Sequence, residues 1–107
     1  MLNYMDNYHN MELEKRNLDQ NEYIYTYRNS FEMIEFRFIF EGSLNIVHFI
    51  VYPRGKGLGT SFIGYLIDGL PSQTNIKLKP KNSLAVKFWL SRGFRFESDE
   101  VMVYNKD

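Results

Sequence analysis

The chain has 107 residues, of which 13 are basic and 13 are acidic, and it contains no cysteine. This length predicts one domain, residues 1–107, and the lack of cysteine excludes disulfides, thiolate metal sites and cysteine nucleophiles, as is usual in the reducing cytoplasm. The balanced charge argues against nucleic acid and acidic membranes as partners, and no apolar run approaches the ~20 residues of a membrane span.

The first half of the chain predicts strands that follow one another closely. Met11–Leu18 carries apolar residues at helical spacing and is predicted as a short helix. Polar and apolar residues alternate along Glu22–Arg28 and along Phe31–Phe40, with an Asn-Ser turn between them, so these segments predict a hairpin. Leu44–Val51 is predicted as the next strand.

The second half of the chain predicts two helices separated by a strand. Apolar residues recur at helical spacing from Gly57 to Leu70, which indicates a helix lying on a sheet. Asn75–Lys79 is predicted as a short strand, and Asn82 is a good N-cap for a helix over Ser83–Ser91. The side chains predicted to face inward from that helix are Leu84, Ala85, Phe88 and Trp89.

The chain ends with a predicted hairpin, which completes the sheet. Gly93 fits a left-handed helix C-cap, and Phe94–Glu97 and Val101–Tyr104 would be the two strands. Elements in this order predict an α/β (α+β) fold with a mixed, mostly antiparallel twisted sheet flanked by helices. The parallel step is the one crossed by the helix that starts near Gly57.

Three glycines at alternate positions, Gly55, Gly57 and Gly59, join the third strand to the first helix. Glycine lets a ligand approach the main chain, and the helix start adds unpaired N–H groups and a positive dipole end, so this loop predicts phosphate binding. It is not a Walker A loop, because Lys56 is followed by glycine. It is not a dinucleotide fingerprint either, because the glycine spacing differs and no acidic residue follows about 20 positions on. A turn that binds nothing is the structural alternative.

Two motifs carry a family resemblance. Arg54, Gly57 and Gly59 form Arg-x-x-Gly-x-Gly directly after a strand. Residues 82–94 follow Asn-x-x-Ala-x-x-Phe/Leu-Tyr-x-x-x-Gly-Phe, with Trp89 where tyrosine is usual. In this order and at this separation, the two motifs resemble the acetyl-CoA-binding core of the GNAT acetyltransferase superfamily.

The resemblance implies an acetyl-CoA-dependent N-acetyltransferase in which a bound amine attacks the thioester directly. It places the acetyl-CoA-binding core in residues 44–94, with a cleft where two parallel strands splay apart, and it makes residues 1–22 a shortened acceptor-side segment. The implied cofactor-binding residues are Phe49, Ile50, Val51, Arg54, Gly55, Lys56, Gly57, Leu58, Gly59, Thr60, Asn82, Lys87 and Phe88. Sheet core, helix capping and solvated surface cations are the structural alternatives for these positions.

Catalytic groups are harder to assign. His48 is the candidate base, because it lies on the central strand and imidazole titrates close to neutral pH; a hydrogen-bonded sheet histidine is the alternative. Glu41 and Glu35 could act through a bridging water. Asn45 stands where some relatives carry a catalytic glutamate and cannot act as a base. In many relatives the tyrosine at the place of Trp89 protonates the departing thiolate, which an indole cannot do.

The rival hypothesis is a GNAT-like acyl-CoA-binding or protein-interaction module that has lost catalysis, which Trp89 and the short front segment favour. The acceptor could be a small-molecule amine or a protein or peptide amine, and a homodimer is left open. Nucleic-acid binding is disfavoured, since Lys77, Lys79 and Lys81 form a basic edge without interleaved aromatic residues. The excess of Asn, Lys, Ile and Tyr suggests an AT-rich genome, such as that of a low-GC bacterium or its phage.

Overall fold

The computed structural model describes residues 13–107, which form an α+β fold with one open, mostly antiparallel sheet of seven strands and two helices. The strand order is β1-β2-β3-β4-β5-β7-β6. Neither helix in the described part of the chain is long and apolar enough to cross a membrane. The elements are β1 (Glu14–Asp19), β2 (Glu22–Arg28), β3 (Met33–Phe40), β4 (Leu44–Tyr52), α1 (Leu58–Gly69), β5 (Asn75–Leu78), α2 (Ser83–Ser91), β6 (Arg95–Phe96) and β7 (Met102–Asn105).

The first four strands are antiparallel neighbours, and three of them are the strands that the sequence predicts at Glu22–Arg28, Phe31–Phe40 and Leu44–Val51. Tyr25 pairs with Phe36 and Tyr23 with Phe38, so the aromatic residues of β2 and β3 share one face of the sheet. The final hairpin is also confirmed, with a first strand shorter than predicted and a second strand shifted by one residue.

The helix predicted over Met11–Leu18 is wrong wherever the structure describes it, because that part is strand β1; residues 11 and 12 lie outside the described residues. A helix this short gains few hydrogen bonds, whereas β1 pairs with residues 22–26 of β2. The β1–β2 turn is held by the side chain of Asn17, whose Nδ2 donates to the main-chain oxygens of Asp19 at 2.6 Å and Glu22 at 3.0 Å.

The predicted parallel step is confirmed: β4 and β5 run parallel, with α1 crossing between them. Their pairing is short, because only Leu44–Ile46 of β4 lies opposite Ile76–Leu78 of β5. β4 then continues to Tyr52, so residues 47–52 have no partner in β5. The sheet therefore opens between β4 and β5 at the end where both strands finish.

A bulge in β4 determines on which face of the sheet the following side chains of this strand lie. β3 pairs Arg37 with His48 but pairs the next residue, Phe38, with Ile46, which leaves Val47 as an extra residue. Strict alternation from Ile46 would place His48 on the core face. The extra residue reverses the alternation, so His48 lies on the opposite face of the sheet.

The core lies on one face only, under both helices. Phe36 is fully buried, and its ring centroid lies 5.7 Å from that of Phe49 on β4 and 5.3 Å from that of Phe62 on α1. Phe49 also lies 5.8 Å from Trp89 on α2. Since α1 and α2 both contact this aromatic cluster, the other face of the sheet has no helix among residues 13–107. We call it the open face.

The second helix ends as predicted at both termini. Asn82 Oδ1 accepts a hydrogen bond from the main-chain N–H of Ala85 at 2.9 Å, and Gly93 has φ +93°. The prediction that Leu84 faces inward is wrong, because this residue is 73% exposed. Successive helix residues differ by about 100°, and the buried stripe is centred nearer Ala85, so that Val86 packs against the core instead.

Candidate functional site

The glycine loop between β4 and α1 follows a cis peptide bond between Tyr52 and Pro53. Gly55 and Gly57 have φ values of +74° and +82°, in the left-handed region where L side chains are strained. A Cβ atom on either residue would meet no atom within 4 Å. Both glycines therefore turn the chain and also leave open space beside the main chain, which is what an approaching anion needs.

The start of α1 carries no compensating side chain of its own. Its N-cap, Gly57, makes no side-chain cap hydrogen bond, and the first turn contains no acidic residue. The first main-chain bond of the helix runs from the N–H of Ser61 to the oxygen of Gly57 at 3.0 Å. Helix α2 differs, because a side chain caps it. Within the described part of the chain, neither the N-cap nor the first turn of α1 thus supplies a side chain that compensates the positive dipole end.

Positive charge gathers at the same place. Arg54 and Lys56 are exposed, and neither makes an ion pair with another residue that the structure describes. No aspartate or glutamate occurs in residues 42–67. A phosphate or diphosphate is the kind of ligand that suits this place, because the main chain of the loop, the two cations and the positive end of the α1 dipole all favour an anion.

Gly59 has a different role from the other two glycines of the loop. It is buried, and a Cβ atom there would lie 3.5 Å from both the Phe88 ring and the Val51 side chain. The first turn of α1 is therefore packed between the end of β4 and α2. The structure brings together three of the predicted segments: the end of β4, the glycine loop and α2.

The open edge of β4 supplies main-chain groups next to this loop. An inner strand directs half of its N–H and C=O groups to each neighbour, so those of Phe49, Ile50 and Val51 that face β5 have no strand partner there. The side chain of Phe49 is part of the core, as the structural alternative predicts. This leaves the main chain for an extended ligand, which can bind a strand edge as another strand would.

Asn82 and Lys87 belong to α2, which begins at the same edge of the sheet because β4 and β5 are parallel. Asn82 is a helix cap, which uses its Oδ1 and leaves the two Nδ2 protons without an acceptor among the described residues. Lys87 is exposed, and its ammonium forms no hydrogen bond or ion pair within residues 13–107. The capping function is confirmed, and cofactor contacts by either residue stay predictions.

His48 lies on the open face, beside the unpaired edge of β4. Its Nε2 is 3.1 Å from Oε1 of Glu35 on β3, and the two side chains are 26% and 32% exposed. Directly across from His48, Arg37 is occupied by an ion pair with Glu22, in which Nε and Oε2 are 3.0 Å apart. The imidazole is thus hydrogen-bonded, as the structural alternative for it predicts, and it is also within reach of solvent.

Trp89 is 6% exposed and packs edge-on against Phe88 and Phe94, with centroid distances of 5.0 and 4.9 Å. No hydrogen bond from its indole N–H is found among the described residues.

The contact between Glu35 and His48 was not identified from sequence, where the two residues were separate candidates for the base. The turn between β3 and β4 sets their register, but a regular hairpin would have put His48 opposite Phe36 and on the core face. Only the bulge at Val47 brings the imidazole to the carboxylate. Bulges leave little trace in a single sequence.

Comparison with known proteins found no matching protein family, curated protein or solved structure.

Proposed function

We propose that the chain is an acetyl-CoA-dependent N-acetyltransferase. The observation that carries the proposal is the glycine loop. Among residues 13–107, its helix start has no side-chain cap and its two cations form no ion pair, and it lies directly beside the edge of β4 that β5 leaves unpaired. A coenzyme with a diphosphate and an extended amide-containing arm needs both features at once. The resemblance of residues 44–94 to the GNAT acetyl-CoA-binding core gives the same assignment.

Different parts of the site would bind different parts of acetyl-CoA. Main-chain N–H groups of Gly57, Gly59 and Thr60 would bind the diphosphate, with Arg54 and Lys56 adding charge. The open edge of β4 at Phe49–Val51 would bind the amide groups of the pantetheine arm, and Asn82, Lys87 and Phe88 would line the other side. When bound, acetyl-CoA supplies an activated acyl group as a thioester. The chain then has only to hold the amine and accept its proton.

One observation favours the second candidate, a CoA-binding module without catalysis. Trp89 stands where the family motif has tyrosine, and an indole N–H can donate a hydrogen bond but not a proton. The loss of this general acid does not prevent acyl transfer, because a CoA thiolate, with an ordinary thiol pKa of about 8.5, can leave without being protonated. Turnover therefore separates the two candidates.

The test of the cofactor site compares two substitutions of one residue, Gly57→Asp and Gly57→Asn. Both side chains tolerate left-handed φ and have the same size, so the backbone cost is matched and only the charge differs. Isothermal titration calorimetry with CoA should show binding by the wild type. The aspartate variant should bind at least about tenfold more weakly than the asparagine variant.

Equal affinity of the two variants, or no heat with the wild type at millimolar CoA, would contradict the proposed site. Catalysis is tested separately, by following release of free thiol from acetyl-CoA with a panel of small amines and peptide amines. Turnover that depends on the amine supports the acetyltransferase, and CoA binding without turnover supports the binding module.

A further inference from the structure

The open face of β3 and β4 carries a pair of polar side chains that the proposed cofactor contacts do not use. His48 and Glu35 lie on this face, and their side chains meet at 3.1 Å where β4 has already left β5. The bulge at Val47 reverses the alternation of β4 just before His48. Without it, an imidazole would have to be buried among phenylalanine rings.

We propose that Glu35 is a positioning residue that holds His48 as the proton acceptor for the attacking amine. This inference rests on the proposed acetyl transfer. A carboxylate can only accept a hydrogen bond, so the nitrogen that faces it, Nε2, must carry the proton. The neutral ring is then held as the Nε2–H tautomer, and Nδ1 keeps the lone pair that can take up a proton.

The charges around the pair are few and mostly paired. Arg37 lies directly across from His48, but it forms an ion pair with Glu22 of β2. Lys77 of β5 lies across from Asn45 and not from His48. Glu35 lies across from the aliphatic Ile50. Glu35 is therefore the charged group that fixes the ring.

The proton balance of the step is simple. The amine nitrogen forms a bond to the acyl carbon, the carbon–sulfur bond breaks, and its electron pair leaves with sulfur. The proton lost by the nitrogen passes to Nδ1 of His48. From there it goes to solvent or to the released thiolate, so the imidazole returns to its starting form. No oxidant or further reactant is needed.

The test uses the full chain and four variants. His48→Ala should lower kcat by about a hundredfold or more, the usual contribution of a general base, and leave the Kd for CoA unchanged. Added imidazole should restore part of the lost rate. Glu35→Ala should lower kcat by about tenfold with little change in the KM of the amine, and Glu35→Gln should lose less, because its amide oxygen still accepts. Glu100→Gln is the control, since it removes an exposed carboxylate that pairs with Lys79 outside β3 and β4, and its rate should stay within twofold of the wild type.

A second measurement is independent of activity. The chain has two histidines, so ¹⁵N spectra of the wild type and of His48→Ala assign the His48 ring. With the ring neutral, the wild type should show the Nε2–H tautomer, and Glu35→Ala should show a mixture. An Nδ1–H tautomer in the wild type, or a His48→Ala variant with the wild-type rate, would overturn this inference alone. A wild type that does not bind CoA would overturn the proposed function and this inference with it.

Discussion

The two faces of the sheet are built from different chemistry, although they share the same strands. On the covered face, successive inward residues of β3 are Ile34, Phe36 and Phe38, all of them buried under the two helices. On the open face the same strand presents Glu35 and Arg37, each paired with a polar partner and in contact with solvent. One alternating strand therefore supplies both buried core residues and polar residues that are in contact with solvent.

This difference indicates where a substitution should be felt. Apolar burial contributes about 25 cal/mol per Å² and is concentrated on the covered face. Partly exposed ion pairs contribute about 1 kcal/mol or less. Changes on the covered face should therefore alter folding, whereas changes on the open face should alter activity and leave folding nearly unchanged. The predictions below test this division, from the largest expected effect to the smallest.

Phe36→Ala should destabilise the fold by about 3–5 kcal/mol, because the ring is fully buried and its removal leaves a cavity among Phe38, Phe49 and Phe62. Ile50→Ala, on the open face of the neighbouring strand, should cost about 1 kcal/mol or less, since this side chain is 37% exposed. Urea unfolding followed by circular dichroism measures both.

A chain of this size has about 5–15 kcal/mol of stability, so Phe36→Ala could unfold it outright. Phe36→Leu keeps most of the apolar volume and should give a folded protein with a smaller loss. The division between the faces would be wrong if Ile50→Ala cost as much as Phe36→Leu.

The order of elements could be predicted from sequence, because it depends on local patterns. Alternation is strong in β2 and β3, glycines and prolines mark the turns, and Asn82 caps α2 as expected for a residue of its type. The parallel step followed from the helix between β4 and β5. These features are local in the chain, so that one sequence is enough to reveal them.

Features set by tertiary contacts could not be predicted in this way. The strand at Glu14–Asp19 exists because β2 offers an unpaired edge, which outweighs a weak helical pattern. The partner of His48 depends on a bulge at Val47, and the exposure of Leu84 depends on how α2 is rotated on the sheet. In the candidate site, the sequence predicted the glycine loop and identified both His48 and Glu35 as candidates, but it did not predict the contact between them.

Lys106→Met tests a polar contact on the helix-bearing side. The Lys106 ammonium donates to the main-chain oxygens of Ile67, Asp68 and Leu70, where α1 ends. Methionine keeps the aliphatic part of the side chain but leaves these carbonyls without a cation, so we expect a loss of about 1–2 kcal/mol in urea unfolding.

Lys79→Met is the matched control for that change. Its ammonium is exposed and lies 4.0 Å from Glu100, so the loss should be close to zero. Equal losses for the two lysines would show that the cap on α1 contributes nothing beyond an ordinary surface pair.

Asn82 variants separate helix capping from cofactor binding. Asn82→Ala removes the Oδ1 acceptor of the Ala85 N–H and should cost about 1 kcal/mol of stability. Asn82→Asp keeps a capping oxygen and should preserve stability. If Nδ2 donates to the cofactor, the aspartate variant should nevertheless bind CoA several-fold more weakly in calorimetry. Unchanged affinity for CoA would make Asn82 a structural cap only.

The smallest expected effect concerns the pair between Glu22 and Arg37 on the open face. Their atoms are 3.0 Å apart, but the side chains are 26% and 46% exposed. A double-mutant cycle with Glu22→Gln and Arg37→Gln should give a coupling of about 0.5 kcal/mol that falls as salt is added, because water screens both charges. A salt-independent coupling above about 2 kcal/mol would mean that these charges are shielded from water in solution. His48 lies directly across from Arg37. If this region were shielded from water, a free amine could not reach the His48 ring. This part of the sheet would then not be open to solvent, as the proposed proton transfer requires.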